Sequence, residues 1–325
     1  MSTPLVSIVV PSYNHAQFLR AGLAAARAQS MPDWEMILID DGSSDDSVEI
    51  ARDVASEDDR IQVFVNERNL GTYGTQERAR SIARGRYIAV LNSDDLWEPT
   101  KLQAQVELLE EHDEACFAYT LGWKIDENGV VDRSDDVHFD WPTTPIQELL
   151  PYLLYENRVL ASSVLFRADD LRFEPSMRYS GDWVALLGSA RRGPAACVPE
   201  RLTYWRIHSS NTFVRSPNQV HEEIRVRRAI HEDWSTWFVG RIPKEKILRG
   251  LGMNVLNLAA LEILRGERTA AVGAAISAAR ILPDKRMAVR RLGACLLPKA
   301  RERLWPRDET KFEGRTPSLL PLRIP

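Results

Sequence analysis

The chain has 325 residues, of which 44% are apolar and 27% are charged. These proportions are those of a soluble globular protein and exclude a chain made mainly of low-complexity or disordered sequence. The three cysteines, Cys116, Cys197 and Cys295, are widely spaced and odd in number, which excludes a paired-cysteine zinc site and favours a reducing compartment.

The formal net charge of −4 is distributed unevenly along the chain. Residues 1–240 carry a net charge of −14, and residues 241–325 carry +10. A basic tail on an acidic body is typical of a tail that contacts an anionic membrane surface or a charged glycan. Solvated arginine side chains on a helical appendage produce the same pattern. We expect no nucleic-acid partner.

Two long apolar runs, residues 251–264 and 269–282, are interrupted by polar side chains and are shorter than the ~18–20 residues of a membrane span. No secretory signal is apparent before the first predicted strand. We therefore expect a cytoplasmic protein that lies at most peripherally on the inner face of the cytoplasmic membrane. The mixture of arginine and apolar residues at 284–292 predicts the helix that makes this contact.

The first hundred residues alternate between strand and helix periodicity. Apolar, β-branched runs predict strands at residues 6–10, 35–39, 61–65 and 87–91. Helical spacing predicts helices at residues 18–28, from Ser44 or Asp45 to about 54, at 75–84 and at 99–111. This α/β alternation predicts a Rossmann-like, mostly parallel sheet flanked by helices, which binds ligands beyond the carboxyl ends of its strands.

Beyond residue 112 the pattern is less regular. It predicts strands at residues 117–123, 161–166 and 202–207, and a further strand that follows a turn at Asn128-Gly129. A helix is predicted at 183–191, and from about residue 219 the chain is predicted to be mostly helical.

The sharpest local feature is Asn92-Ser93-Asp94-Asp95, which directly follows the fourth predicted strand. Adjacent carboxylates at a buried strand end repel each other and lose solvation, and a bound hard cation relieves both costs. Mg²⁺ and Mn²⁺ are suited to such carboxylates and to substrate phosphates. The alternative interpretation is a turn that caps the next helix.

Two other strand ends share the same edge of the predicted sheet. Asp40 and Asp41 follow the second strand and offer hydrogen-bond acceptors for a nucleobase or ribose, although a turn and a helix cap explain them as well. The segment Pro11-Ser12-Tyr13-Asn14 follows the first strand. Its tyrosine can stack on a base, whereas the alternative is an ordinary turn that begins at proline.

Five segments, taken in order, resemble the amino-terminal half of family-two glycosyltransferases of the GT-A fold. The segments are residues 6–14, Ile39-Asp40-Asp41-Gly42-Ser43-Ser44-Asp45, Asn69-Leu70-Gly71, Gly85-Arg86-Tyr87-Ile88 and Leu91-Asn92-Ser93-Asp94-Asp95. The resemblance implies a catalytic domain at residues 1–215, with a nucleotide-sugar-binding half at 1–112 and an acceptor-binding half at 113–215. A basic helical region at 216–305 and a poorly ordered tail at 306–325 complete the predicted organisation.

The resemblance also implies roles for individual residues. It implies that the nucleotide sugar is bordered by Pro11, Ser12, Tyr13, Asn14, Asp40 and Asp41. It implies that Asp95 is the main ligand of Mg²⁺ or Mn²⁺, with Asp94 nearer the ribose and sugar. On the helix after the Asn-Leu-Gly turn the family often has Ala-Arg-Asn, whereas this chain has Gln76-Glu77-Arg78. Either Arg78 or Arg80 replaces the family's usual contact near the nucleotide, or these residues form an exposed helix face.

The second half resembles the family at two further segments. Ser180-Gly181-Asp182-Trp183 implies that Asp182 is the general base and that Trp183 lines the acceptor pocket, and a helix cap and a core tryptophan are the alternatives. Arg206-Ile207-His208-Ser209-Ser210-Asn211 implies a diphosphate contact for Arg206 and a metal or phosphate contact for His208. Ser162, before the preceding strand, is implied to face the acceptor.

These features predict a metal-dependent transfer of a sugar from a nucleoside-diphosphate sugar to an acceptor hydroxyl, with the inversion that the family implies. A UDP-sugar is the first expectation for the donor, and a glycan or lipid-linked acceptor of bacterial surface polysaccharide assembly is expected. Two alternatives remain: a nucleotidyltransferase, whose Gly-rich phosphate loop is missing here, and a non-catalytic nucleotide- or glycan-binding scaffold. A homodimer is compatible with the sequence.

Overall fold

The computed structural model describes residues 3–134, 136–138, 141–209, 211 and 217–296. These residues form two compact units. The first unit contains the described residues up to Glu148 and Arg158–Asn211, and the second contains Leu149–Asn157 and the described residues from 217 onward. The second unit thus includes a segment that the sequence analysis assigned to the acceptor-binding half. The predicted tail at 306–325 lies outside the described residues.

The first unit alternates strands and helices over its first 111 residues, as the sequence predicts. In chain order the elements are β1 (Val6–Ser12), α1 (Ala16–Arg27), β2 (Trp34–Asp40), α2 (Ser47–Ser56), β3 (Ile61–Val65), α3 (Thr72–Ile82), β4 (Tyr87–Val90), β5 (Leu96–Trp97) and α4 (Lys101–Glu111). After α4 follow β6 (Phe117–Ile125), β7 (Val131–Asp132), β8 (Ile146–Gln147), α5 (Leu150–Tyr155), β9 (Val164–Arg167), α6 (Gly181–Ala190) and β10 (Ala195–Arg206).

The strands form one sheet in the order β3-β2-β1-β4-β9-β6-β10-β5, with β7 beside β6 and β8 beside β10. The pairs β1–β2, β2–β3, β1–β4 and β6–β10 are parallel, whereas β9 is antiparallel to both β4 and β6. The predicted fold class, a mostly parallel sheet flanked by helices, is therefore confirmed. Every residue of β1 and β2 is buried, as expected for central strands covered on both faces.

This topology decides which loops meet. Because β1, β2, β4, β6 and β10 run in one direction, their carboxyl ends lie at the same edge of the sheet. The strands β9 and β5 run the other way, so that their amino ends lie at that edge as well. The predicted strand at 161–166 begins only at Val164, because Ala161–Ser163 forms a 3-10 turn that brings Ser162 to this edge.

The second unit is helical. It contains α5 and the helices α7 (Pro217–Glu232), α8 (Lys244–Leu264), α9 (Arg268–Ile281) and α10 (Arg286–Leu296). Helix α8 is long and apolar enough to cross a membrane, but 72% of its most apolar window is buried within the protein. It packs against α5, α7 and α9, which is the behaviour of a core helix.

Candidate functional site

The two carboxylates that follow β4 have different surroundings. Asp95 is buried, and its Oδ2 accepts a hydrogen bond from Ser162 Oγ at 2.5 Å while its Oδ1 accepts one from the backbone N–H of Arg206 at 2.9 Å. Burial, and then the charge of Asp94, raise the pKa of Asp95 well above its usual value, and the two hydrogen bonds oppose this rise. Protein donors therefore occupy both oxygens of Asp95.

Asp94 instead faces imidazole groups. Its Oδ2 lies 3.0 Å from Nε2 of His208 and 3.3 Å from Nδ2 of Asn211. His15, on the loop after β1, completes a cluster with Asp94 and His208 in which one potential ligand atom of each residue lies within 4.8 Å of the others. Three loops that are distant in sequence thus bring one carboxylate and two imidazoles together.

The chemistry of this cluster fits a divalent cation. Burial lowers the pKa of His15 and outweighs the opposing charge of Asp94, so that its imidazole is neutral at physiological pH and able to donate a lone pair. The Nδ1 atom of His15 lies 2.7 Å from Ser93 Oγ, and this contact orients the ring. A mixed oxygen and nitrogen donor set suits Mn²⁺ better than Mg²⁺, which prefers oxygen ligands.

The predicted metal ligands are therefore only partly brought together. His208 and Asp94 belong to the cluster, and His15 belongs to it although the sequence analysis did not select it. The predicted main ligand, Asp95, is not part of this cluster; its oxygens accept hydrogen bonds from Ser162 and from the backbone of Arg206, and its implied metal role stays a prediction. No spacing rule links residues 15, 94 and 208, so only the fold could reveal this set.

Arg206 is buried and braces the site. Its Nε donates to the carbonyl oxygen of Asp94 at 2.8 Å, and its Nη1 donates to the carbonyl oxygens of Asp126 and Glu127 at 3.1 and 3.0 Å. The guanidinium group also lies 4.9 Å from the ring centroid of Phe18. These contacts fix the turn that carries Asp94, and the implied contact of Arg206 with a diphosphate stays a prediction.

The acidic pair after β2 organises two loops. Asp41 accepts hydrogen bonds from the backbone N–H groups of Leu70 and Gly71 at 2.7 and 2.8 Å and from Asn66 Nδ2 at 2.6 Å. Asp40, which is fully buried, accepts from the backbone N–H groups of Gly42 and Ser43 within its own turn. Asp41 thus holds the Asn-Leu-Gly segment beside the strand ends, and Asp40 shapes the turn next to it.

The loop after β1 borders the same edge. Tyr13 is 47% exposed, whereas Ser12 is buried and its Oγ has no hydrogen-bond partner among the described residues. Asn14 has a positive φ of 52° and accepts a hydrogen bond from the backbone N–H of Ser44 at 2.8 Å, which joins this loop to the one after β2. Pro11 is buried within β1. An exposed aromatic ring is a surface on which a nucleobase can stack.

The two arginines that were predicted as possible substitutes for the family's usual contact lie on α3. The guanidinium group of Arg78 donates to Asn66 Oδ1 and thereby joins the network around Asp41. Arg80 instead forms an ion pair with Glu77 at 2.6 Å. Of the two arginines, Arg78 is the one that the structure connects to the candidate site.

Asp182 lies in the first turn of α6. Tyr73 donates a hydrogen bond from its hydroxyl group to Asp182 Oδ1 at 3.2 Å. The preceding residue has to be glycine, because a Cβ on Gly181 would lie 2.4 Å from Cγ of the Tyr73 ring. Tyr73 follows Gly71 by two residues, so one short segment contacts both Asp41 and Asp182.

Two residues that were predicted to contact the acceptor are buried. Trp183 is 4% exposed on the buried face of α6, and Ser162 is fully buried. Ser162 accepts a hydrogen bond from the backbone N–H of Asn92 and donates one to Asp95, so that its hydroxyl joins β4 to the turn before β9. Their implied contact with an acceptor stays a prediction.

A mostly parallel sheet with acidic and imidazole side chains at its carboxyl edge defines an α/β protein whose ligand binds at that edge. The profile of "Glycosyl transferase family 2" matches residues 7–173, slightly more than half of the chain. The chain therefore belongs to glycosyl transferase family 2, and the predicted resemblance is confirmed.

Curated relatives carry related names. A glycosyltransferase of Bacillus subtilis named for teichuronic acid biosynthesis, TuaG, is 39% identical over 117 residues, which are 36% of this chain and 46% of TuaG. The Escherichia coli protein WfgD, named a UDP-Glc:alpha-D-GlcNAc-diphosphoundecaprenol beta-1,3-glucosyltransferase, is 33% identical over 133 residues, which are 41% of this chain and 51% of WfgD. The chain thus spans about half the length of these relatives.

Solved structures confirm the GT-A fold. Residues 1-349 of S. aureus TarS, in complex with UDP-GlcNAc, superpose with a TM-score of 0.66 at 16% identity, over 93% of each chain. The mannosyltransferase PcManGT of Pyrobaculum calidifontis, in complex with GDP-Man and Mn²⁺, gives a TM-score of 0.54 at 15% identity, over 93% of this chain and 84% of that one. At these identities the likeness concerns the fold.

Proposed function

We propose that this protein transfers a sugar from a nucleoside-diphosphate sugar to an acceptor hydroxyl with inversion, in the assembly of a bacterial surface glycan. Membership of glycosyl transferase family 2 and the names of the relatives support the reaction class. The observation that carries the proposal is the cluster of His15, Asp94 and His208 at the carboxyl edge of the sheet, beside the Asp41 network. A UDP-sugar is the first candidate for the donor, since a fold neighbour was solved with UDP-GlcNAc.

In this proposal His15, Asp94 and His208 hold a divalent cation, with Mn²⁺ preferred. When bound, the cation neutralises the charge of the departing nucleoside diphosphate. The bound cation also relieves the repulsion between the carboxylates of Asp94 and Asp95. Asp95 and Arg206 keep the turn that carries Asp94 in place. Asp95 is thus a positioning residue in this proposal, in place of the main ligand that the sequence implied.

The nucleoside lies along the edge formed by the loops after β1 and β2. Tyr13 offers an exposed ring beside the buried Ser12, while Asp41 holds the loop that follows β3. Asp182 removes the proton of the acceptor hydroxyl as the new glycosidic bond forms, and the hydroxyl of Tyr73 orients its carboxylate. The bond between sugar and diphosphate breaks in the same step, so no covalent intermediate is needed. The enzyme works in the cytoplasm, in agreement with its buried thiols Cys116 and Cys197.

The first experiment is a screen for release of nucleoside diphosphate from UDP-, GDP- and dTDP-sugars, with Mn²⁺, with Mg²⁺ and with a chelator. We expect turnover of at least one donor that the chelator abolishes and Mn²⁺ restores. Asp94→Ala should reduce turnover by about 100-fold or more, and should weaken Mn²⁺ binding measured by calorimetry without donor. Asp46→Ala is the matched control, because Asp46 is an exposed aspartate before α2.

A second variant tests the base. Asp182→Asn should retain donor binding, yet reduce transfer by about 10²–10⁴-fold. Transfer at the wild-type rate by this variant would contradict the role of Asp182. Unaltered Mn²⁺ affinity in Asp94→Ala would contradict the metal site, and release of pyrophosphate instead of nucleoside diphosphate would contradict the reaction class.

A further inference from the structure

The end of the helical unit presents a basic amphipathic surface, which we call the α10 face. Its members are exposed basic or large apolar residues. They are Arg280, Lys285, Arg286, Met287, Val289 and Arg290, with Met287 47% and Val289 62% exposed. Asp284 is the acidic residue within this stretch, and one of its carboxylate oxygens accepts the backbone N–H of Arg286.

The periodicity of α10 explains how charge and apolar surface lie side by side. Arg286 and Arg290 are four residues apart and therefore share one side of the helix. Ala288, two residues from each, is fully buried in the apolar core that α8 and α9 form. Met287 and Val289 flank the arginine pair and remain exposed, although they lie next to this core.

The cations of the α10 face are not neutralised within the described part of the chain. Elsewhere in the helical unit, ion pairs join Arg227 to Glu223, and Arg228 and Arg265 to Glu262. None of the ion pairs between described residues includes Arg280, Lys285, Arg286 or Arg290. Four cations against one acidic residue therefore give this surface a strongly positive potential.

Three kinds of partner could meet such a surface, and its composition favours one. A soluble polyanion would use the cations but would leave Met287 and Val289 in water. A second copy docked by a two-fold axis would bring identical cations together. An anionic bilayer uses both features, because headgroups attract arginine while apolar side chains enter the boundary of the acyl chains.

We propose that the α10 face docks the protein on an anionic phospholipid surface, with Arg286 and Arg290 among the headgroups and Met287 and Val289 inserted beside them. This contact does not depend on the proposed sugar transfer. It is peripheral, because α8, the helix with the composition of a membrane span, is mostly buried in its own unit. It also gives the basic charge of the carboxyl-terminal region a defined location.

The test is sedimentation of the full chain with vesicles made of equal parts of phosphatidylglycerol and phosphatidylcholine, compared with vesicles of phosphatidylcholine alone. We expect binding to the anionic vesicles at low salt that weakens as salt is added. Arg286→Gln with Arg290→Gln should lower the partition coefficient about 30-fold. Met287→Ser with Val289→Ser should lower it at unchanged net charge.

The matched control is Arg20→Gln with Arg52→Gln, which removes two positive charges from exposed positions of the first unit. It should bind vesicles as the wild type does, and circular dichroism should show the same helix content in every variant. No sedimentation at low salt, equal binding to both vesicle types, or equal binding by the Arg286→Gln, Arg290→Gln variant and the wild type would each overturn the proposal. The proposal would also be overturned if the chain bound no vesicles but used the α10 face to bind inorganic polyphosphate or to self-associate.

Discussion

Adjacent residues with the same side chain have different contacts at the end of β4. Asp94 lies against His208 and His15, whereas Asp95 accepts hydrogen bonds from Ser162 and from the backbone of Arg206. Protein hydrogen bonds reach both oxygens of Asp95, whereas those of Asp94 converge on Oδ2 beside two imidazoles that can share a cation with it. The chemistry of this pair is thus decided by what each oxygen atom contacts.

The hydroxyl of Ser162 provides a test of this division. Ser162→Ala removes the donor to Asp95 Oδ2 and should lower kcat about 10-fold or more, because the turn that carries Asp94 loses its support. The variant should also lose about 1–3 kcal/mol in the free energy of unfolding, since a buried acceptor becomes unsatisfied. Activity assays and urea unfolding measure the two effects separately.

The neighbouring serine offers a matched control. Ser163 is equally buried, but its hydroxyl donates to the carbonyl oxygen of Leu160 at 2.7 Å and does not contact Asp95. Ser163→Ala should therefore lose stability with little change in kcat. An equal loss of kcat in both variants would show that Ser162 acts only through stability.

At the scale of elements, α4 has an unusual side chain on its buried face. Lys101 is fully buried, and its Nζ donates to Gln105 Oε1 at 2.7 Å and lies 4.1 Å from the ring of Trp97. Burial lowers the pKa of Lys101 well below its usual value. Trp97 in turn donates to the carbonyl oxygen of Ser162, so that the lysine packs behind the candidate site.

The lowered pKa of Lys101 makes the stability of the folded protein depend on pH. Between the folded pKa and the ordinary lysine value of about 10.4, the unfolded chain binds a proton that the folded chain does not, so stability rises with pH. Lys101→Met removes this cost and should raise the free energy of unfolding at neutral pH by about 1–3 kcal/mol, after the loss of the bond to Gln105.

Urea unfolding at several pH values measures this effect. The advantage of Lys101→Met over the wild type should shrink as pH approaches about 10, where the unfolded lysine also loses its proton. Lys246→Met, at an exposed position of α8, should change stability little at any of these pH values. A pH-independent difference for Lys101→Met would contradict the burial argument.

At the scale of the molecule, residues 149–157 leave the α/β unit and join the helical one. Helix α5 packs against α8, and Arg227 of α7 donates to the carbonyl oxygen of Tyr155 at 3.0 Å. The close approach requires a glycine, because a Cβ on Gly250 would lie 2.4 Å from the carbonyl oxygen of Pro151. A backbone oxygen cannot move aside as a flexible side chain can.

Gly250→Ala should therefore destabilise the helical unit by about 1–3 kcal/mol, although alanine is the better helix former. Gly273, on α9, has no atom within 4 Å of the added Cβ, so Gly273→Ala should be neutral or slightly stabilising. Thermal unfolding followed by circular dichroism compares the two variants. Equal midpoint temperatures for the two variants would show that α5 and α8 do not pack as closely as described.

The sequence alone determined the α/β pattern and the family. The predicted strand at residues 61–65 coincides with β3, and the other strands of the first half agree to within about two residues, because buried β-branched runs and helical spacing are local properties of the chain. The helices from residue 217 to 296 were also predicted. The two-residue strands β5 and β8 were missed because their pairing partner, β10, lies far away in sequence. Helix α5 was missed because its 6 residues are too few to show helical periodicity.

Only the tertiary structure decided which atoms face one another at the carboxyl edge. The sequence identified Asp94, Asp95 and His208 as chemically important, but it could not orient two adjacent carboxylates, and it gave no reason to select His15. Orientation depends on hydrogen bonds from Ser162 and Arg206, which lie 67 and 111 residues away and reach Asp95 through the reversal of β9 and the register of β10. Periodicity and composition describe neighbours along the chain, whereas a site is made by neighbours in space.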